Sequence, residues 1–174
     1  QVVPGVEGVE LDPVKTAEAL TQAALKTTDR TAEVQGNKQE PELTTAEAEA
    51  MGIKDLLASY SDTYGGSANR RTNVRITTEY ILQGGMQYLA PGEEFDFKKE
   101  VGPRTPERGY VKAPGISPGM LVEDQYGGGI CEVSTAVFNA AFRAGLKITE
   151  RRNHTIYFDH YPKGMDATVS IGGY

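Results

Sequence analysis

The single cysteine of this chain, Cys131, stands where a reactive thiol is expected. It follows three consecutive glycines, Gly127 to Gly129, and opens an apolar, helix-like run. The unpaired N–H groups and the dipole of a helix N-terminus favour negative charge, so they lower the pKa of a thiol placed there. Backbone N–H groups near Gly129 to Cys131 could also stabilise an oxyanion when a carbonyl carbon is attacked. The pattern indicates a nucleophile suited to acyl transfer.

A thiolate nucleophile needs a group that carries protons, and the chain has two histidines, His154 and His160. Both fall on a predicted strand at an even spacing, so on a regular strand they would face the same side. The alternative is that Cys131 is a small buried hydrophobic residue and that the glycines only make a tight turn into the helix. The residue types by themselves leave this choice open.

Other polar and aromatic residues near these motifs have both a functional and a structural interpretation. Glu132 could act as an acid or simply place a favourable charge at the helix start. Arg104, Arg151 and Arg152 could each bind a substrate carboxylate or be solvated at the surface. Tyr110 could face a ligand, although aromatic residues are more often found in the core.

A metal site is not expected from this composition. One cysteine and two histidines without close companions do not make a structural zinc set. Asp159 and Asp166 could add metal ligands to such a set, but their presence in the composition does not by itself indicate a site. We therefore expect neither a metal nor another cofactor.

The second half of the chain is predicted to position these residues with helices and short strands. Helices are predicted over Asn69 to Leu82 and from Cys131 or Glu132 to Ala144. Short strands are predicted around a Pro91-Gly92 turn, and Val101 to Met120 is predicted to be a cleft-forming loop. Two later segments alternate as strands do: I-T-E-R-R-N-H-T-I-Y-F-D-H-Y and D-A-T-V-S-I.

The first part of the chain is predicted to be a small α/β piece without a complete core of its own. A helix is predicted over Pro13 to Lys26, and a short strand around Thr31 to Val34. Thr44 and Glu47 fit a capping box that opens a short helix, which Gly52 ends. A boundary is predicted near Ser59 to Gly66.

The overall charge and the apolar pattern exclude some classes of partner. The net charge is −6, and Lys and Arg are dispersed, so neither nucleic acid nor an anionic membrane is expected to bind. No apolar stretch approaches the ~20 residues needed to span a bilayer, and Gln1 does not begin a signal segment. We expect no direct membrane contact in this part of the protein; any anchor would lie outside it.

Several separated motifs together resemble the VanW domain family, in order and with matching gaps. They are P-G-E-E-F-D-F, V-G-P-R-T-P-E-R-G-Y, G-G-G-I-C-E-V-S-T-A-V-F-N-A-A-F-R-A-G-L, E-R-R-N-H and G-M-D-A-T-V. The resemblance implies a VanW-like domain over 63–174, truncated at its C-terminus because the family's continuation beyond D-A-T-V is missing. Residues 1–62, with P-E-L-T-T-A-E-A, resemble the C-terminal part of a peptidoglycan-binding domain.

The resemblance implies a cell-wall enzyme, because some VanW-domain proteins are L,D-transpeptidases that make 3-3 cross-links with a cysteine. The cysteine of the family motif falls on Cys131 and the downstream histidine on His154. The chain departs from the family at Glu132, where Gln is usual, and at His160, where an aromatic residue is common. The added charge of Glu132 would oppose thiolate formation. Because His160 stands where the family commonly has an aromatic residue, it is not expected to have a catalytic role.

These inferences combine into one predicted enzyme. The fold is predicted to be α+β, with mixed helices, short antiparallel strands and the catalytic cysteine at a helix N-terminus. Cys131 would be the nucleophile, His154 the base and acid, and Asp166 the group that orients His154. The predicted substrate-binding residues are Arg104, Tyr110, Gly128, Gly129, Ile130, Glu132 and Ser134.

The predicted substrates are peptidoglycan stem peptides. The protein would act outside the membrane, in the cell wall or at the outer face of the membrane of a Gram-positive bacterium. Two alternatives remain: another cysteine peptidase or carboxypeptidase of the cell wall, and a non-catalytic peptidoglycan- or glycopeptide-binding module. A binding module would keep its function after Cys131→Ala.

Overall fold

The structure, a computed structural model, describes residues 2–41, 43–83, 87–117 and 120–170. Within these ranges the chain combines helices with two antiparallel pairs of short strands, which confirms the α+β class. The chain separates into two compact units, Gln1–Asp55 and Leu56–Tyr174.

The first unit contains two strands and two helices: β1 Gly8–Leu11, α1 Pro13–Ala24, β2 Gly36–Gln39 and α2 Thr45–Ala50. Asp12 caps α1 through Lys15 N–H, and Thr44 and Glu47 form the predicted capping box of α2. Ala23 is the one buried apolar side chain among the described residues of this unit.

The strand predicted at Thr31 to Val34 was wrong, because β2 lies further along the chain. Its four residues, G-N-K-Q, carry no strand signal of their own. They are extended because they pair with β1, from Gly8 opposite Gln39 to Leu11 opposite Gly36. A pairing between distant segments decided this strand, and local sequence did not.

The described residues of the second unit form three helices, one turn of 3-10 helix and one hairpin. The helices are α3 Ala68–Leu82, α4 Phe97–Val101 and α5 Cys131–Arg143, and the 3-10 turn is Pro106–Arg108. The hairpin pairs β3 Lys112–Ser117 with β4 Met120–Tyr126 and has an irregularity between Ala113 and Gly115. Helices α3 and α5 agree closely with the predicted bounds.

Three strand or loop predictions in this unit were wrong. The Pro91-Gly92 turn forms, but the described residues beside it are not strands; on its C-terminal side Asp96 instead caps α4. The predicted loop Val101 to Met120 contains β3. The described residues after α5 form no strand; part of their backbone bonds to side chains of α5, an alternative to pairing in a sheet. Met86, Pro118, Gly119 and Ile171, which belonged to these predicted segments, lie outside the described residues.

The core of the second unit lies where α3 meets the start of α5. Its buried apolar residues come from α3, from α4 and the segment that follows it, and from the turn into α5: Val74, Ile76, Ile81, Val101, Tyr110, Ile130 and Val133. Because Ile130 and Val133 flank Cys131, burial of these two side chains holds the first turn of α5 against the core.

Candidate active site

The three glycines before Cys131 make a tight turn that lets neighbouring groups pack against its backbone. Gly127 and Gly129 have φ values of +76° and +98°, which only glycine adopts without strain. A Cβ atom on Gly129 would lie 2.6 Å from Arg70 Cγ, and one on Gly127 would overlap the side chain of Arg104. The turn therefore holds two arginines beside the thiol.

Gly128, the middle glycine, packs against the backbone of β3. A Cβ atom there would overlap the carbonyl oxygens of Ala113 and Pro114. The Gly128 carbonyl also accepts a hydrogen bond from Asn73 Nδ2 at 3.0 Å. Protein atoms thus fill the space beside Gly128, which was predicted to bind substrate.

Cys131 is the first residue of α5 and is half-buried. Its Sγ lies 3.4 Å from Thr168 Oγ1 and 3.9 Å from the Val169 carbonyl oxygen. Burial alone would raise the pKa of the thiol, but hydrogen bonds with His154, Thr168 and Val169 and the charge of His154 together lower it. The site therefore favours the thiolate.

His154 lines the same cleft as Cys131 and bonds to a carboxylate. Its Nδ1 lies 2.7 Å from Asp166 Oδ2, and its backbone N–H donates to the same oxygen at 2.7 Å. Since Asp166 takes Nδ1, Nε2 is the nitrogen that remains for Cys131. Burial lowers the pKa of His154, but hydrogen bonds and charges of Cys131 and Asp166 overcome burial and raise it. The three residue types are those that acyl-transfer enzymes use as nucleophile, base and orienting carboxylate.

Asp166 remains ionised in this arrangement. Burial would raise the pKa of its carboxyl group, but the hydrogen bonds and charge of His154 lower it. Arg151 adds support, because its Nη2 lies 3.2 Å from Asp166 Oδ1 and its Nε donates to the Asp166 carbonyl. The carboxylate is thereby fixed on two sides.

The irregular segment that carries Asp166 and Thr168 is held against α5 by polar side chains of that helix. Ser134 and Thr135 donate to the Ala167 carbonyl at 2.6 and 3.2 Å, and Ala167 N–H donates back to Thr135 at 3.0 Å. Asn139 donates to the Met165 carbonyl at 2.7 Å. These bonds replace a sheet in bringing the end of the described chain to the thiol.

Aromatic residues fix the ring of His154 in the site. Tyr161 stacks on it, with the ring centroids 5.5 Å apart, and Phe158 contacts it edge-on at 5.1 Å. His160 packs against Tyr161 at 4.1 Å. His154 is buried and His160 is exposed, although both line the same cleft.

Glu132 is buried and paired with Arg70. Its Oε2 lies 2.7 Å from Arg70 Nη2, 3.4 Å from Tyr161 Oη and 3.9 Å from His160 Nε2. The charge that was expected to oppose thiolate formation is therefore balanced locally by a guanidinium. Glu132 supports Tyr161, which in turn packs on His154.

Two backbone N–H groups beside the thiol have no hydrogen-bond acceptor among the described residues: those of Gly129 and Cys131. The neighbouring Ile130 N–H is already used, since it donates to the Gly127 carbonyl at 3.3 Å. Free N–H groups at a helix start are suited to stabilise an oxyanion.

A cleft of about 200 Å³ opens at the thiol. We call it the Cys131 cleft; among its lining residues are Arg104, Gly127, Gly129, Ile130, Cys131, His154 and Thr168. A second cavity of about 430 Å³ is also lined by His154, together with Asp166 and Arg151. His154 therefore borders two spaces that could receive substrate groups.

The predicted substrate-binding residues divide between this cleft and the interior. Tyr110 is 1% exposed and its hydroxyl lies 3.1 Å from Thr77 Oγ1, so it belongs to the core. Gly128, Glu132 and Ser134 line neither cavity, and each serves the packing described above. Ile130 borders the cleft but is also a core residue.

Sequence reasoning missed Arg70, Thr168 and Tyr161. Arg70 lies on α3, far along the chain from the cysteine, and no local pattern distinguishes it from its neighbour Arg71. Thr168 could have been suggested by its position two residues after Asp166, which is the spacing of side chains on one face of an extended segment.

The described residues contain no cluster of His, Cys, Asp and Glu that could hold a metal ion. Within the same ranges, none of the helices has both the length and the apolar character needed to cross a membrane.

The second unit thus carries a Cys–His–Asp arrangement on an α+β scaffold. Residues 69–174 match the family described as VanW like protein, and the chain belongs to the VanW family. The uncharacterized protein YoaR of Bacillus subtilis (strain 168) is 44% identical over 113 residues, which are 64% of this chain. The chain spans only 36% of that relative's length. No solved structure matches the chain. The family relationship points to a role associated with the cell wall.

Proposed function

We propose that this protein is a cell-wall L,D-transpeptidase that forms 3-3 cross-links between peptidoglycan stems by acyl transfer through Cys131. The observation that carries the proposal is that Cys131 and His154 line the same cleft while His154 Nδ1 lies 2.7 Å from Asp166 Oδ2. The backbone N–H groups of Gly129 and Cys131, which have no acceptor among the described residues, support it. VanW family membership supports a substrate in the cell wall.

The first step forms a thioester. Cys131 Sγ attacks the carbonyl carbon between an L-centre and the terminal D-amino acid of a donor stem, and the oxyanion accepts hydrogen bonds from the N–H groups of Gly129 and Cys131. His154 Nε2 carries the proton that the thiol released and gives it to the leaving amine. The C–N bond breaks, the D-amino acid leaves and the acyl group stays on sulfur.

The second step transfers the acyl group to an acceptor stem. The acceptor amine gives a proton to His154 Nε2 as it attacks the thioester carbonyl. The C–S bond then breaks, which regenerates the Cys131 thiolate beside a protonated His154. Water in place of the amine would give carboxypeptidase products instead.

The test is mass spectrometry of muropeptides after the purified chain is incubated with peptidoglycan that contains tetrapeptide stems. We expect 3-3 dimers with the unmodified chain, none with Cys131→Ala, and a decrease of about 10²–10⁴-fold with His154→Gln. His160→Gln is the matched comparison and should lower activity much less than His154→Gln, because His160 lines the cleft from an exposed position and has no hydrogen bond to Asp166 in the described geometry.

The products also separate the alternatives. Shortened stems without dimers would identify a carboxypeptidase. Unchanged stems, with peptidoglycan still bound by Cys131→Ala, would identify a binding module. Dimers formed by Cys131→Ala would refute the proposed nucleophile.

A further inference from the structure

Arg104 is a buried cation with two N–H donors that are unpaired within the described part of the chain. It is 8% exposed, and its Nε and Nη2 atoms have no hydrogen-bond partner among the residues that the structure describes. None of the ion pairs within those residues includes it. A buried charge without compensation is costly, so a partner is expected to satisfy it when the site is in use.

The position of Arg104 makes this partner a ligand of the Cys131 cleft. Arg104 lines the cleft together with Cys131, and its aliphatic stem packs across Gly127, where no Cβ atom displaces it. Burial lowers the pKa of Arg104, whereas the charge of Cys131 opposes that decrease.

The chemistry of a guanidinium selects the kind of ligand. Its planar set of N–H donors fits a carboxylate through two parallel hydrogen bonds. Two donors of Arg104, Nε and Nη2, have no partner among the described residues, and they lie on one edge of the guanidinium. Both atoms are buried, so neighbouring side chains must shift for a ligand to reach them. A ligand carboxylate in this cleft must also lie close to the carbonyl group that Cys131 attacks.

We propose that Arg104 binds the free α-carboxylate of the donor's terminal D-amino acid, the residue that leaves when the thioester forms. This inference rests on the proposed function, because it says which residue binds the C-terminus of the donor stem in that reaction. The contact would restrict the enzyme to the last peptide bond of a stem with a free C-terminus. An amidated or extended stem would leave Arg104 unpaired and would be a poor donor.

The test compares two synthetic peptides that end in an L-Lys–D-Ala pair, one with a free C-terminal carboxylate and one with a C-terminal amide. Their binding to Cys131→Ala is measured by calorimetry, and their cleavage by the unmodified chain is measured by mass spectrometry. We expect the acid to bind at least 10-fold more tightly than the amide and to be cleaved at least 10-fold faster.

Arg104→Gln should remove the preference for the acid in both measurements and leave the amide nearly unchanged. Arg108→Gln is the matched control, since Arg108 lies four residues away, stacks on Tyr80 and does not line the cleft. Arg104→Lys should reduce the preference, because an ammonium lacks the planar pair of donors. If Arg104→Gln does not fold, Arg104→Lys provides the test in its place.

Equal binding of acid and amide by Cys131→Ala would overturn the inference, and so would a full acid preference in Arg104→Gln or Arg104→Lys. Failure of the proposed function gives a different result. In that case the unmodified chain cleaves neither peptide, while an acid preference in binding that depends on Arg104 remains.

Discussion

Replacing Asn73 with alanine is expected to weaken the second unit more than any exposed substitution on α3. Asn73 is fully buried at 0% exposure, and its amide makes three hydrogen bonds of 3.0 Å. It donates to the carbonyls of Val111 and Gly128 and accepts from Val111 N–H. One side chain therefore joins α3 to the segment before β3 and to the glycine turn.

The magnitude follows from the groups that lose their partner. Asn73→Ala leaves the Val111 N–H and the Gly128 carbonyl unpaired, whereas the Val111 carbonyl keeps its bond from Gly127 N–H at 3.3 Å. Each buried unpaired group costs about 1–3 kcal/mol. A water molecule in the vacated space would restore some of these bonds. We expect the free energy of unfolding to fall by about 2–6 kcal/mol, a large part of the ~5–15 kcal/mol that is typical of a domain.

The measurement is urea unfolding followed by circular dichroism, with Asn69→Ala as the matched control. Asn69 lies one helical turn before Asn73 and donates a single bond of 2.8 Å to the Lys112 carbonyl from an exposed position. Its loss should cost about 0.5–1.5 kcal/mol. Equal unfolding midpoints for the two variants would refute the assigned role of Asn73.

Two further predictions concern the thiol and the turn before it. Because hydrogen bonding and the charge of His154 outweigh burial and lower the pKa of Cys131, iodoacetamide should modify the thiol at a pH below that needed for a free cysteine. His154→Gln should move the midpoint of the rate–pH profile upward, and an unchanged midpoint would contradict the pairing. Gly128→Ala should destabilise by about 1–3 kcal/mol in urea, because its Cβ overlaps the Ala113 carbonyl. Gly65→Ala has open space around it and should unfold nearly as the parent does.

Local signals predicted the helices well because their causes lie within a few residues. The Thr44 and Glu47 capping box, the Asp12 cap and the start of α5 at Cys131 all depend on neighbouring backbone groups. The strands were predicted poorly. Strand β2 is extended only because β1 pairs with it, and the alternating segments after α5 find no strand partner within the described residues.

The candidate site shows the same division. The sequence and its resemblance to the VanW family suggested Cys131, His154 and Asp166, although the regular strands expected to carry the last two do not form. The assignments of Tyr110 and Ser134 to substrate binding depended on proximity in sequence. In the structure Tyr110 instead lies in the core, and Ser134 donates a hydrogen bond to the Ala167 carbonyl.

The sequence by itself determined that a lone thiol follows a glycine turn at the start of a helix, since glycine conformation and helix capping are local properties. Only the tertiary structure decided what surrounds that thiol. It brought Asp166 to His154, paired Glu132 with Arg70 and left two buried donors of Arg104 without a partner among the residues it describes. These contacts join residues that are distant along the chain. They depend on how the irregular segment after α5 packs against that helix. No periodic pattern in the sequence predicts this packing.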